Sequence, residues 1–108
     1  MNRKGTILFI ALLLSAATAC AQQPNVFESQ GCGVCHKPSG GVANPSLIDI
    51  SKNYTDREGQ LIKYFKGEAE PVINPQRAGI MKPHLEKTKA LSDADLKNLA
   101  DFIMNHKQ

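Results

Sequence analysis

Tryptophan is absent from the 108 residues, and tyrosine occurs only twice. With so few large aromatic side chains, the apolar core of so short a chain is marginal, and a bound cofactor, a metal or a crosslink would help to hold it together. Sustained alternation of apolar and polar residues is also missing, which removes sheet as a major element. No internal repeat is visible. The longest uncharged apolar run, Thr6 to Leu14, falls well short of the about 20 residues that a bilayer crossing needs. Nor is there a strong excess of one charge: 13 basic side chains stand against 10 acidic ones. Arg3 and Lys4 belong to a segment expected to be removed, so the remainder is close to neutral. Without a basic patch to neutralise phosphates, nucleic-acid binding has no electrostatic footing.

What is present begins with a leader. Arg3 and Lys4 precede the apolar run, and the small-residue stretch Ser15 to Ala19 follows it, the order of parts of a secretory signal. Residues 1–21 are expected to be that signal, cut after Ala21 at the small-x-small site Ala19-Cys20-Ala21. The alternative is a cut before Cys20, with Ala17-Thr18-Ala19-Cys20 as a weak lipobox that has alanine where leucine is usual. Cys20 would then carry a lipid and tether the protein to a membrane. In either case residues 22–108 form one small domain on the periplasmic or another extracytoplasmic side.

Three segments of that domain carry helical signals. Asn25 to Cys35 starts on Val26 and Phe27 after Pro24 and is weakened by Gly31 and Gly33. The middle segment is read as capped by Thr55, with Glu58 reaching back to complete a capping box; Leu61, Ile62 and Phe65 share a face, and Gly67 is a suitable stop. In the last, Ser92 and Asp95 repeat the capping box, and Leu96, Leu99, Ala100 and Ile103 recur at i, i+3, i+4 and i+7, with Phe102 widening the apolar face. Between them, residues 37–53 and 68–90 hold prolines at 38, 45, 71, 75 and 83 and glycines at 40, 41 and 79, and are expected to be loops. Loops this long are uncommon in a compact domain unless they have a function.

The stretch "GCGVCHKP", residues 31–38, supplies the chemistry. In a helical turn Cys32 and Cys35 lie i, i+3 and His36 lies i+4 from Cys32, so two thiols and an imidazole converge on one side of the backbone. That arrangement suits a flat macrocycle held at its edge by two thioether bonds while the imidazole reaches its central iron, and C-x-x-C-H is the attachment signature of c-type haem. Three other readings fit less well. A structural disulfide between Cys32 and Cys35 leaves His36 and the loops without a role. A thioredoxin-like pair would want a βαβ setting. A zinc site would want four ligands, and the third thiol, Cys20, leaves with the signal.

On these residues the chain resembles the small monohaem bacterial cytochromes c of class I. The resemblance spans about residues 25–107: Phe27 five residues before "CGVCH", the proline turn "NPSL", the helix around "YTDREGQLIKYFKG", the stretch "AGIMKP" and the closing "LSDADLKNLADFIMNH". It implies an all-α fold, three to four short helices with long loops wrapped around one haem held through Cys32 and Cys35. His36 is one axial ligand. Candidates for the other are Met81, Met104, His84 and His106. Met81 sits between Gly79 and Pro83, in a loop that could wrap back over the far face, and the order of the family's motifs favours it. Met104 reads as a packing residue, and His84 and His106 as exposed histidines. By the same resemblance the Pro45 carbonyl accepts from His36, with the Pro45 ring against the haem. Tyr54, Tyr64 and Asn74 remain open as partners of a haem propionate or of the Met81 sulfur. Phe27 and Phe102 are expected to pack where the first and last helices cross, and lysines 37, 82, 87 and 89 to ring the exposed edge and steer an acidic partner.

The function this implies is one-electron transfer by a monomer between redox partner proteins, with no substrate transformed and hence no enzymatic activity. Two other readings are an electron-entry subunit of a larger respiratory enzyme and a haem-based ligand sensor.

Overall fold

The structure is a computed structural model that describes residues 25–41 and 43–107. The expected signal segment and Cys20 lie outside the described residues. Helices and turns account for the regular structure, with no strand among the described residues. In chain order they are α1 (Val26–Ser29), a 3₁₀ turn (Cys32–Val34), α2 (Leu47–Asn53), α3 (Glu58–Phe65), a second 3₁₀ turn (Pro75–Ile80), α4 (Lys82–Thr88) and α5 (Asp93–Met104).

The last helix forms as its pattern dictates. The Ser92 hydroxyl accepts from the Asp95 amide at 3.1 Å, satisfying one of the free N–H groups of the first turn. Leu96, Leu99, Ala100 and Ile103 are all buried, and Met104 joins them as a packing residue. Around this helix pack α1, α2 and α3. The α1–α5 crossing is made by Phe27 and Phe102, whose ring centroids are 4.9 Å apart and tilted by 31°, and is fastened by the Val26 amide donating to the Asn98 side chain at 3.2 Å.

The other elements depart from expectation in instructive ways. The first segment is not one helix: the backbone turns left-handed at Gly31, φ 74°, and restarts as the 3₁₀ turn that carries the cysteines. Glycine alone takes that conformation without steric cost. Thr55 does not cap α3. Its hydroxyl donates instead to the Ser51 carbonyl at 3.1 Å, just after the end of α2; Asp56 then turns left-handed at φ 60°. Helix α3 therefore begins at Glu58 without a side-chain cap, and the Glu58 carboxylate faces α5, with one oxygen 3.7 Å from Lys97 Nζ. A hydrogen bond with Asp101 raises the pKa of Glu58 and lowers that of Asp101. Gly67 does end α3, at φ 73°.

Two helices also stand where loops were expected. Helix α2 is capped by Ser46, whose hydroxyl accepts from the Asp49 amide at 3.1 Å. Helix α4 opens with Pro83 in its first turn, where a missing N–H costs nothing and the fixed φ is already helical. The fold is all-α as expected, but among the described residues it has five α-helices rather than three or four.

Candidate cofactor cleft

Between these elements lies a cleft with an empty volume, including the open space at its mouth, of about 1130 Å³. Its floor is apolar, built by Leu61 and Phe65 of α3 and Leu99 and Ile103 of α5. One wall carries Cys32, Cys35, His36 and Pro45, and Ile80, Met81 and His84 line the same cleft.

The cysteine wall owes its shape to local hydrogen bonds. The amides of Cys35 and His36 both donate to the Cys32 carbonyl, at 3.3 and 3.0 Å. This single turn sets both sulfurs and the imidazole beside the cleft. His36 Nδ1 lies 2.8 Å from the Pro45 carbonyl oxygen. Since the carbonyl can only accept, Nδ1 carries the proton and donates, which leaves the Nε2 lone pair free. The loop that holds Pro45 is itself tied down by the Leu47 amide donating to the Lys37 carbonyl at 2.9 Å. Burial raises the pKa of the Cys32 thiol, with the neighbouring Cys35 adding to the rise; the hydrogen bond to its own backbone and the Lys87 charge oppose it. Phe27 packs behind this turn, 3.4 Å from where a Cβ on Gly33 would stand.

All three open candidates line the cleft. The buried Tyr54 hydroxyl accepts from the Val72 amide at 3.3 Å. The pKa of half-buried Tyr64 is raised, first by desolvation and then by Tyr54 and Glu70, so it stays a neutral donor. Asn74 stands at the mouth with a left-handed backbone, φ 48°. His84 lines the same cleft as Met81. His106 corrects the expectation of an exposed side chain: it is half-buried, its ring edge-on to Phe102 at 4.9 Å and its Nδ1 2.8 Å from the Phe102 carbonyl. Of the four lysines, Lys37 donates to the Gly33 carbonyl at 2.9 Å and Lys89 pairs with Glu86 at 2.7 Å. Beside the cysteines and Met81, Val34 and Ile80 are exposed large hydrophobic side chains.

Sequence reasoning missed Arg77, which lines the mouth and donates from Nη1 to the Ala43 carbonyl. A single cation in a proline-flanked stretch gives no signal of its own.

Two thiols, an imidazole with one nitrogen already satisfied, a thioether lining the same cleft and an apolar floor make a donor set that fits haem c. Comparison with known families agrees: the cytochrome c family model matches residues 24–107. The chain belongs to the cytochrome c family. A search of curated proteins returns no match. Its prosthetic group is haem c, bound covalently through Cys32 and Cys35. The domain is a haem-based electron carrier that works with redox partner proteins.

Proposed function

We propose that the protein is an exported, monomeric one-electron carrier whose iron is ligated by His36 Nε2 and Met81 Sδ, and that it catalyses no reaction of its own. The observation that carries this reading is that Met81, distant in sequence from the Cys32–His36 turn, lines the same cleft as Cys32, Cys35 and His36. Haem supplies a one-electron couple between ferric and ferrous iron. The protein's own part is to hold and insulate. Pro45 fixes the His36 tautomer and ring orientation through the Nδ1 hydrogen bond, as the carbonyl partners of ligating histidines do. Met81 offers a soft sulfur, the second ligand of the His/Met pair that raises the potential of cytochromes c. Leu61, Phe65, Leu99 and Ile103 keep water from the floor, which also tunes the potential. With both axial positions filled, no site is left for a small-molecule substrate. Lys37, Lys82 and Lys87, exposed near the cleft-lining stretches, supply long-range attraction for an acidic partner.

The ferric absorption spectrum tests the ligand assignment. A weak far-red band from sulfur-to-iron charge transfer is expected in the wild type, with slow or absent carbon monoxide binding to the reduced protein. Met81→Ala should abolish the band and open the iron to carbon monoxide; persistence of the band in that variant overturns the assignment. In the sensor reading Met81 is off the iron or easily displaced; a wild type without the band whose reduced form takes up carbon monoxide rapidly would favour it. Haem attachment, the cleavage point and Cys20 acylation each leave a distinct increment in the intact mass, and a mature chain that still begins at Met1 contradicts removal of the leader.

A further inference from the structure

We propose that Arg77 is a positioning residue that clamps the segment carrying Met81 to the loop that orients His36. The proposal deepens the reading of Met81 as the second axial ligand and rests on it. Residues 73–84 run through the second 3₁₀ turn and into α4 and contribute Arg77, Ile80, Met81 and His84 to the cleft lining. Among the described residues, every hydrogen bond these residues make is local except one, from Arg77 Nη1 to the Ala43 carbonyl. Beyond its ends the strand of chain is anchored: the Val72 amide donates to the Tyr54 hydroxyl at 3.3 Å, and the Thr88 hydroxyl donates to the Phe65 carbonyl at 2.7 Å. Arg77 is therefore the one polar tie between these anchors, and it lies four residues before Met81.

Its partner is placed to matter. Ala43 is two residues before Pro45, whose carbonyl accepts the hydrogen bond from His36 Nδ1. The bond thus joins the wall that holds one axial ligand to the segment that holds the other. Guanidinium is suited to the task, since it is always charged and its planar fork stays oriented while it donates. The backbone supplies a second pointer. Asn74 is left-handed directly before Pro75, a conformation that the proline ring disfavours in the preceding residue. Such a residue persists only where its surroundings hold it, and the clamp closes the chain immediately after it.

For an exogenous ligand to reach the iron, Met81 must leave and its segment must lift, which requires the Arg77–Ala43 bond to break. The test is the rate at which imidazole binds the ferric holoprotein at mildly alkaline pH, where it is mostly neutral and is not drawn in by charge. Arg77→Ala should bind it on the order of tenfold faster, the equivalent of about 1.4 kcal/mol and just below the range for a hydrogen bond to a charged group. Arg77→Lys, which keeps a donor, should fall between. Hydrogen exchange at the Met81 amide, bonded to the Ala78 carbonyl at 3.0 Å, reads the same opening without reference to the iron and should also accelerate. An unchanged imidazole rate and unchanged exchange in Arg77→Ala overturn the clamp, as does an acceleration that vanishes at high salt. A wild type without the far-red band would instead overturn the Met81 assignment, and the exchange measurement would still decide the clamp.

Discussion

At the scale of single residues, positive φ marks the places where backbone conformation rather than side-chain chemistry determines which residue is tolerated. Gly67 ends α3 at φ 73°, and the Lys89 side chain lies across the space a Cβ would occupy. A lysine stem can shift, so the main cost of a larger residue there is the left-handed backbone. Gly67→Ala is expected to lower stability by about 1 kcal/mol, seen as a lower thermal midpoint by circular dichroism; an unchanged midpoint contradicts it. The stop at Gly67 was legible because glycine is the usual residue just past a helix end. The left-handed Asn74 was not legible, since an Asn-Pro pair by local rules favours an extended first residue.

Hydroxyl groups do much of the joining between elements. Ser51 donates to the Met104 carbonyl at 3.1 Å, tying α2 to α5. Thr88, 4 % exposed, donates to the Phe65 carbonyl at 2.7 Å and ties α4 to the end of α3. That carbonyl is in the last turn of its helix and has no partner within it. Thr88→Val keeps the shape, removes the donor and should cost about 1–2 kcal/mol, whereas Thr88→Ser should retain most of the stability. Chemical denaturation of the three proteins checks this, and equal midpoints for wild type and Thr88→Val refute it. Capping explains both what could be read at this scale and what was misread. Ser92 was recognised because a strong apolar period follows it. Ser46 caps α2 by the same chemistry with Asp49, but α2 has only seven residues, too few to establish a period against its proline- and glycine-rich surroundings. Thr55 offered the same pattern, yet its hydroxyl was taken by the preceding helix.

The whole molecule is organised around the cleft. Leu61, Leu99 and Ile103 are 2 %, 1 % and 3 % exposed and belong to the core, yet they also form the cleft floor. Core and binding site are thus one structure, and emptying the cleft would leave its apolar lining facing water. Replacing both attachment points, Cys32→Ala with Cys35→Ala, should give a protein whose haem passes into acid acetone and whose helical signal melts without a sharp transition; the wild type should retain its pigment and melt cooperatively. A variant that unfolds as sharply as the wild type after its haem is extracted would show that the helices can close their core alone.

The sequence by itself determined the attachment chemistry, the all-α class and the period of α5, because each depends on residues within a turn or two of one another. Two thiols and an imidazole within five residues converge in any compact turn, and an apolar stripe buries itself whatever it meets. Only the tertiary structure decided which loops become α2 and α4, that the Thr88 hydroxyl reaches the Phe65 carbonyl, and that Arg77 bonds to Ala43 across the cleft mouth. These links join segments far apart in the chain. Their partners are backbone carbonyls, which every residue carries, so residue identity alone could not single them out; it took the fold to bring each donor to one of them.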